Sequence, residues 1–183
     1  MIKKLIYFIQ IAIIFGLLLS KTAKAQIAGE SAMTKDKAIQ VEKPIIKSEL
    51  FIKTQAIKAI FQKNRSSLTE FAYDFAKTCS KYEFNCYLLP SIAGVESGFG
   101  KRYIKSNNNP FGYAGGYYKF DSIPSAIEKT AETINKYGTN DIYKIGKIYA
   151  QDPNWGSKIN RLIQDFHKEE QKQHLILSIN VIQ

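Results

Sequence analysis

Histidine is nearly missing from this 183-residue chain: only His167 and His174 occur, both in a polar stretch far from Cys79 and Cys86. Zinc sites draw on clustered His and Cys ligands, so no metal is expected, and no cofactor motif is present either. Cysteine is limited to that one pair, which suits a disulfide if the chain is exported and two small buried hydrophobes if it is not. Acidic residues are outnumbered 16 to 26 by Lys and Arg, and the stretch from Lys101 to Phe120 contains none. No dense Lys/Arg block interleaved with aromatics occurs, so nucleic acid is not an expected partner. Internal repeats and low-complexity blocks are also absent.

What is present begins with an export pattern. Lys3 and Lys4 precede an apolar run from Leu5 to Leu19, and Ala23-Lys24-Ala25 offers a small-residue cleavage site. The run is shorter than the roughly 20 apolar residues that span a bilayer comfortably, which favours a cleaved signal over an uncleaved anchor. Residues 1–25 are therefore expected to be a signal peptide and 26–49 a polar linker. Loss of the first segment removes Lys3, Lys4, Lys21 and Lys24 and no acid, lowering the net charge from +10 to +6. A moderately basic exported protein suits an anionic polymer outside the cytoplasm.

From residue 50 the pattern turns helical. Leu50, Phe51, Ala56, Ile57, Ile60 and Phe61 fall on one face, and Leu68, Phe71, Ala72, Phe75, Cys79 and Tyr82 on another. Ser67 and Glu70 stand at capping-box spacing before the second of these. The segment Cys86–Ser97 is apolar nearly all round, as a buried helix is, with Asn85 able to cap it and Pro90 in its first turn. Lys101–Phe120 is dense in Asn, Gly and aromatics and predicts a loop and a small β-hairpin turning at 114–116. Ser122 can cap a helix ending before Gly138. A short helix near 142–150 and a last one with Trp155, Ile159, Leu162, Ile163 and Phe166 as its stripe follow. The expected fold is mainly α, one domain over 50–168 around one buried helix, with 169–183 as a tail.

Glu96 is the residue with the most chemistry in it. It ends the most apolar helix of the mature chain, where partial desolvation raises a carboxyl's pKa and lets it serve as a general acid. By itself it is equally an ordinary surface Glu at a helix end. Its surroundings are more specific. Leu88–Lys101 resembles the Glu-Ser-Gly segment of lysozyme-like bacterial cell-wall enzymes, and Asn108–Tyr113 resembles their Asn-x-Phe-Gly segment. Tyr118–Ser122 is similar to their aromatic strand leading into a helix. Tyr149–Ile159 resembles the closing Tyr-Ala-x-Asp-Pro-x-aromatic segment. Four motifs in order resemble the glucosaminidase domain of the mannosyl-glycoprotein endo-β-N-acetylglucosaminidase-like family, which includes flagellar cell-wall hydrolases. Soluble lytic transglycosylases are more distant relatives.

The resemblance implies a lysozyme-like fold and cleavage of peptidoglycan glycan strands in the periplasm or cell envelope, by a monomer. Glu96 matches the acid catalyst. Tyr149 matches a Tyr near the catalytic centre that helps hold the sugar or an attacking water. Ser97, Asn109, Phe111, Gly112 and Tyr118 match groove segments and are the expected substrate-binding residues. Phe111 is also readable as a core aromatic, Trp155 reads chiefly as one, and Asp152 is equally readable as a helix cap and Tyr117 and Tyr118 as packing. Conventional glycosidases use two carboxylates, and the expected hairpin offers none; Asp121 at its end is the nearest. A substrate N-acetyl nucleophile or an anhydro-forming transglycosylase route needs no second acid. A non-catalytic glycan-binding module and an assembly factor with an envelope or secretion-apparatus partner are the rival classes. An amidase is disfavoured, because neither cysteine has a histidine partner in view.

Overall fold

A computed structural model describes residues 49–182; the expected signal segment and residues 26–48 of the expected linker lie outside them. Helix α1 covers residues 49–63. Its inward face is Ile52, Ala56, Ile57, Ile60 and Phe61, with Phe51 turned out, a shift of one residue from the expected stripe. Helix α2, Ala72–Tyr82, follows a short 3-10 turn, Thr69–Phe71. The capping box expected at Ser67 and Glu70 does not form there. Ser67 Oγ instead donates to the Gly100 carbonyl (2.7 Å), and Ser66 Oγ donates to that of Phe99 (2.7 Å) while accepting from the Leu68 amide (2.9 Å). These serines tie the α1–α2 corner to the end of the next helix rather than capping their own.

Helix α3, Leu88–Ser97, is the buried helix, with Leu88, Leu89, Pro90, Ser91, Ile92 and Ala93 all inside. Asn85 Oδ1 accepts from the Tyr87 amide (2.9 Å) just ahead of it, and Pro90 falls in its first turn, where a missing N–H costs little. A disulfide between Cys79 and Cys86, Cα to Cα 4.8 Å, ties the end of α2 to this start. The helix stops at Gly98, whose φ of +60° is the left-handed geometry that closes helices. Phe99 continues at φ +59°, unusual for a bulky residue, and its ring is buried against Phe61 and Phe166.

Helix α4, Ile123–Asn135, carries the expected Ser122 cap, here as a reciprocal box with Ser125. Helix α5, Ile142–Tyr149, is capped by Asp141, which accepts from the Tyr143 and Lys144 amides. Helix α6 runs from Trp155 to Ile182 without a break, about 42 Å at 1.5 Å per residue, so the segment expected as a tail continues the same helix. Helix α2 packs on α4, α3 on α6, and α5 on α6. Small residues allow the last two contacts. A Cβ on Gly94 would lie 2.8 Å from Leu162 Cδ1 and from the Phe99 ring, and one on Gly156 would lie 2.7 Å from Tyr143. None of the helices among the described residues is long and apolar enough to cross a membrane.

The expected β-hairpin is absent: no strand occurs among the described residues. Residues Tyr113–Gly116 form a 3-10 turn flanked and interrupted by left-handed backbone at Gly112, Ala114, Gly115 and Gly116, which no extended strand can contain. Side chains supply the bonds a ladder would have made. Asn107 Nδ2 donates to the Gly116 carbonyl (3.2 Å), Asn108 Nδ2 to that of Phe120 (3.0 Å), and Asn109 Nδ2 to those of Tyr113 (2.8 Å) and Tyr118 (3.1 Å). Three consecutive asparagines thus lace the loop shut.

Candidate active site

The site is built where α3 ends, because the last turn of that helix aims Glu96 away from the core while the residues before it are locked inside. Glu96 faces a cleft of about 410 Å³ whose walls include Arg102, Tyr103, Asn109, Gly112 and Tyr117. One oxygen, Oε1, accepts a hydrogen bond from the Trp155 indole Nε1–H at 2.9 Å. The other, Oε2, points at Gly112, where a Cβ would stand only 3.3 Å from it. Gly112 also holds φ +67°, so both space and backbone reserve that position for glycine.

Although Glu96 opens to solvent on its cleft side, its carboxyl is hemmed in enough that burial pushes its pKa above the ordinary value. The nearby negative charge of Asp152 adds to the rise, while the Trp155 hydrogen bond and the Lys158 ammonium oppose it. A carboxyl of this kind can hold its proton closer to neutral pH and give it to a bound acceptor. Asp152 itself is held ionised: its ion pair with Lys158 (2.6 Å) and a hydrogen bond from the Asn154 amide (2.8 Å) lower its pKa.

The residues expected to bind substrate divide into three groups. Gly112 lies directly on the Glu96 carboxyl. Ser97 and Asn109 border the cleft, but both are buried with their polar groups already in use. Ser97 Oγ donates to the Ala93 carbonyl and accepts from the Gly100 amide, both at 2.9 Å. Asn109 Oδ1 accepts from the Tyr113 amide (2.9 Å) while its Nδ2 laces the loop. Phe111 and Tyr118 are elsewhere. Phe111 is completely buried, its ring 6.0 Å from that of Phe75, and Tyr118 stacks in a cluster with Tyr113 and Phe120.

Tyr149 sits beside the acid and is pushed well above its ordinary pKa, chiefly by burial and further by the Glu96 charge. Its hydroxyl donates to the Phe111 carbonyl at 2.8 Å, which fastens α5 to the loop bearing Gly112. Trp155 is 1 % exposed, as a core aromatic should be, yet its indole touches the carboxyl. The apolar stripe concealed that role; the signal for it is that a buried indole N–H requires an acceptor. Tyr117, 80 % exposed, lines the cleft where Tyr118 was expected. Neither Asp121 nor Asp152 is among the cleft residues; Asp152, in the closing segment, acts on Glu96 only through its charge. No cluster of three or more potential metal-ligating side chains occurs among the described residues.

A carboxyl with a raised pKa at the mouth of an open cleft is placed where a general acid can reach a bulky substrate. The family model for glucosaminidases, described as mannosyl-glycoprotein endo-β-N-acetylglucosaminidase, matches residues 72–168, just over half of the chain, and the protein belongs to that family. The match runs from the first residue of α2 into the middle of α6. A search of curated proteins found no match.

Proposed function

We propose that this protein is an exported endo-β-N-acetylglucosaminidase that cleaves peptidoglycan glycan strands within a lysozyme-like domain, with Glu96 as general acid. The observation that carries this reading is the pairing of Glu96 with Trp155. An indole N–H can only donate, so its bond to Oε1 favours the acid's proton on Oε2. That oxygen faces Gly112 and the cleft. The proton is thereby directed at the place a glycosidic oxygen would occupy. Tyr149 has a free lone pair on its hydroxyl and, through the Phe111 carbonyl, fixes the distance between the acid and the loop wall. Ser97 and Asn109 act by positioning, and Tyr117 offers an exposed ring on which a sugar can stack.

Among the cleft residues Glu96 is the one carboxylate. That favours a route in which the substrate's own N-acetyl group attacks after Glu96 protonates the leaving oxygen. A lytic transglycosylase, in which the sugar's 6-hydroxyl closes an anhydro ring, is the second reading and draws on the same observation. A glycan-binding module without catalysis is disfavoured, because Glu96 lies within the stretch that matches the glucosaminidase family. Export through residues 1–25 to the periplasm or envelope belongs to this proposal, and the Cys79–Cys86 disulfide supports it, since such bonds persist outside the reducing cytoplasm.

Digestion of purified peptidoglycan followed by mass spectrometry of the ends tests the proposal. Reducing N-acetylglucosamine ends are expected, falling by about 10³-fold in Glu96→Gln. Anhydro-muramic ends would move the assignment to a transglycosylase, and equal activity in the variant would remove Glu96 from the chemistry.

A further inference from the structure

A second cavity, about 550 Å³, borders the end of α3 but shares no wall residue with the cleft above. Val95, Phe99 and Leu162 give it an apolar floor, and Lys158 and Arg161 stand on its rim. The α6 residues Lys158, Arg161 and Leu162 follow helical spacing and so share one face, with Asn154 just ahead of the helix. Lys158 is ion-paired with Asp152, whereas Arg161 makes no ion pair or side-chain hydrogen bond among the described residues. The cavity is also close to the acid, because the charges of Lys158 and Asp152 both act on Glu96.

An apolar floor beneath an uncommitted guanidinium fits a ligand with a small apolar body and a carboxylate, which Arg can grip with two parallel bonds. Resting on the glycan-cleaving reading, the chemistry of that substrate narrows the choice. With peptides attached, the strand's N-acetylated sugars are uncharged, because each lactyl carboxyl is tied up in the amide to its peptide, and the free carboxylates with their methyl-bearing residues belong to the peptide substituents. We infer that this cavity is a subsite for the carboxylate-bearing peptide substituent of the glycan strand, gripped by Arg161 with Lys158 beside it. The protein then selects peptide-substituted strands over strands that lack a free peptide carboxylate.

The test separates binding from cleavage. In the Glu96→Gln protein, two glycan fragments of equal length, one bearing stem peptides and one with its lactyl carboxyls capped as simple methylamides, are titrated while the fluorescence of Trp155, the chain's one tryptophan, is followed. The peptide-bearing fragment is expected to bind about tenfold more tightly. Arg161→Gln should abolish that margin and Arg161→Lys should restore part of it. Equal affinity for the two fragments, or a margin that survives Arg161→Gln, would overturn the subsite. Binding with the expected margin but no cleavage by the unaltered protein would leave the subsite standing and reject the catalytic reading instead.

Discussion

The two walls around Glu96 are made in different ways. One is packed: α3, α5 and α6 meet through Gly94, Gly156 and the buried Trp155, and the acid is held by an indole that is itself part of the core. The other is laced: residues 101–120 contain no strand and are held by the amides of Asn107, Asn108 and Asn109. Packing fixes the position of Glu96 with little tolerance, because interiors have no slack for added volume. Lacing holds the cleft-facing wall through side-chain amides, with Phe111 and Phe120 as its anchors in the core. The two walls meet at the Tyr149 bond to the Phe111 carbonyl.

Breaking the packed side should cost most. Replacing both Cys79 and Cys86 with Ser opens the link between α2 and α3 and is expected to lower unfolding free energy by about 2.5 kcal/mol, a chain-entropy figure for so short a loop. Gly94→Ala forces a methyl against Leu162 and Phe99 and should cost about 2 kcal/mol. Both losses are read from urea midpoints, and the disulfide variant should leave the KM of the remaining folded enzyme unchanged. Asn109→Ala on the laced side should cost about 1 kcal/mol of stability and raise KM several-fold, the reverse proportion. Tyr149→Phe should have the smallest effect on stability, below about 1 kcal/mol, with a fall in kcat as the seam loosens. If Asn109→Ala instead unfolds the protein as readily as Gly94→Ala, the two walls are not distinct.

The packed wall was also the more legible in the sequence. Helical spacing announces α2, α4 and α6, because burying an apolar stripe is what makes those segments helices; α3 shows itself by being apolar nearly all round, and Ser122 marks the start of α4 by its own chemistry. The laced wall was not legible in the same way. Glycines and aromatics in Lys101–Phe120 are what a hairpin would also use, and no pattern reveals that three asparagine side chains will occupy the backbone carbonyls. Ser67 fails as a cap for a related reason: its hydroxyl is claimed by Gly100, 33 residues away. Glu96 stood out through its place after an apolar helix, but Trp155, Tyr117 and Asp152 reach the site from segments whose local pattern says only core, loop and cap.

Stability should carry a trace of the acid as well. Since the folded pKa of Glu96 lies above its unfolded value, the native state binds more protons between the two, and stability falls as pH rises through that interval. Glu96→Gln should therefore be more stable than the parent at pH 7, and the difference should vanish below the ordinary Glu range, near pH 4.

The most direct test is the pH profile of kcat for peptidoglycan cleavage in the parent and in Trp155→Phe. Glu96 must be protonated to act, so activity should decline as pH rises through its pKa. The indole bond lowers that pKa, and its removal should move the alkaline limb to higher pH even as kcat falls about tenfold. A limb that stays in place when the indole N–H is gone would contradict the assignment of Glu96, held by Trp155, as the acid of this enzyme.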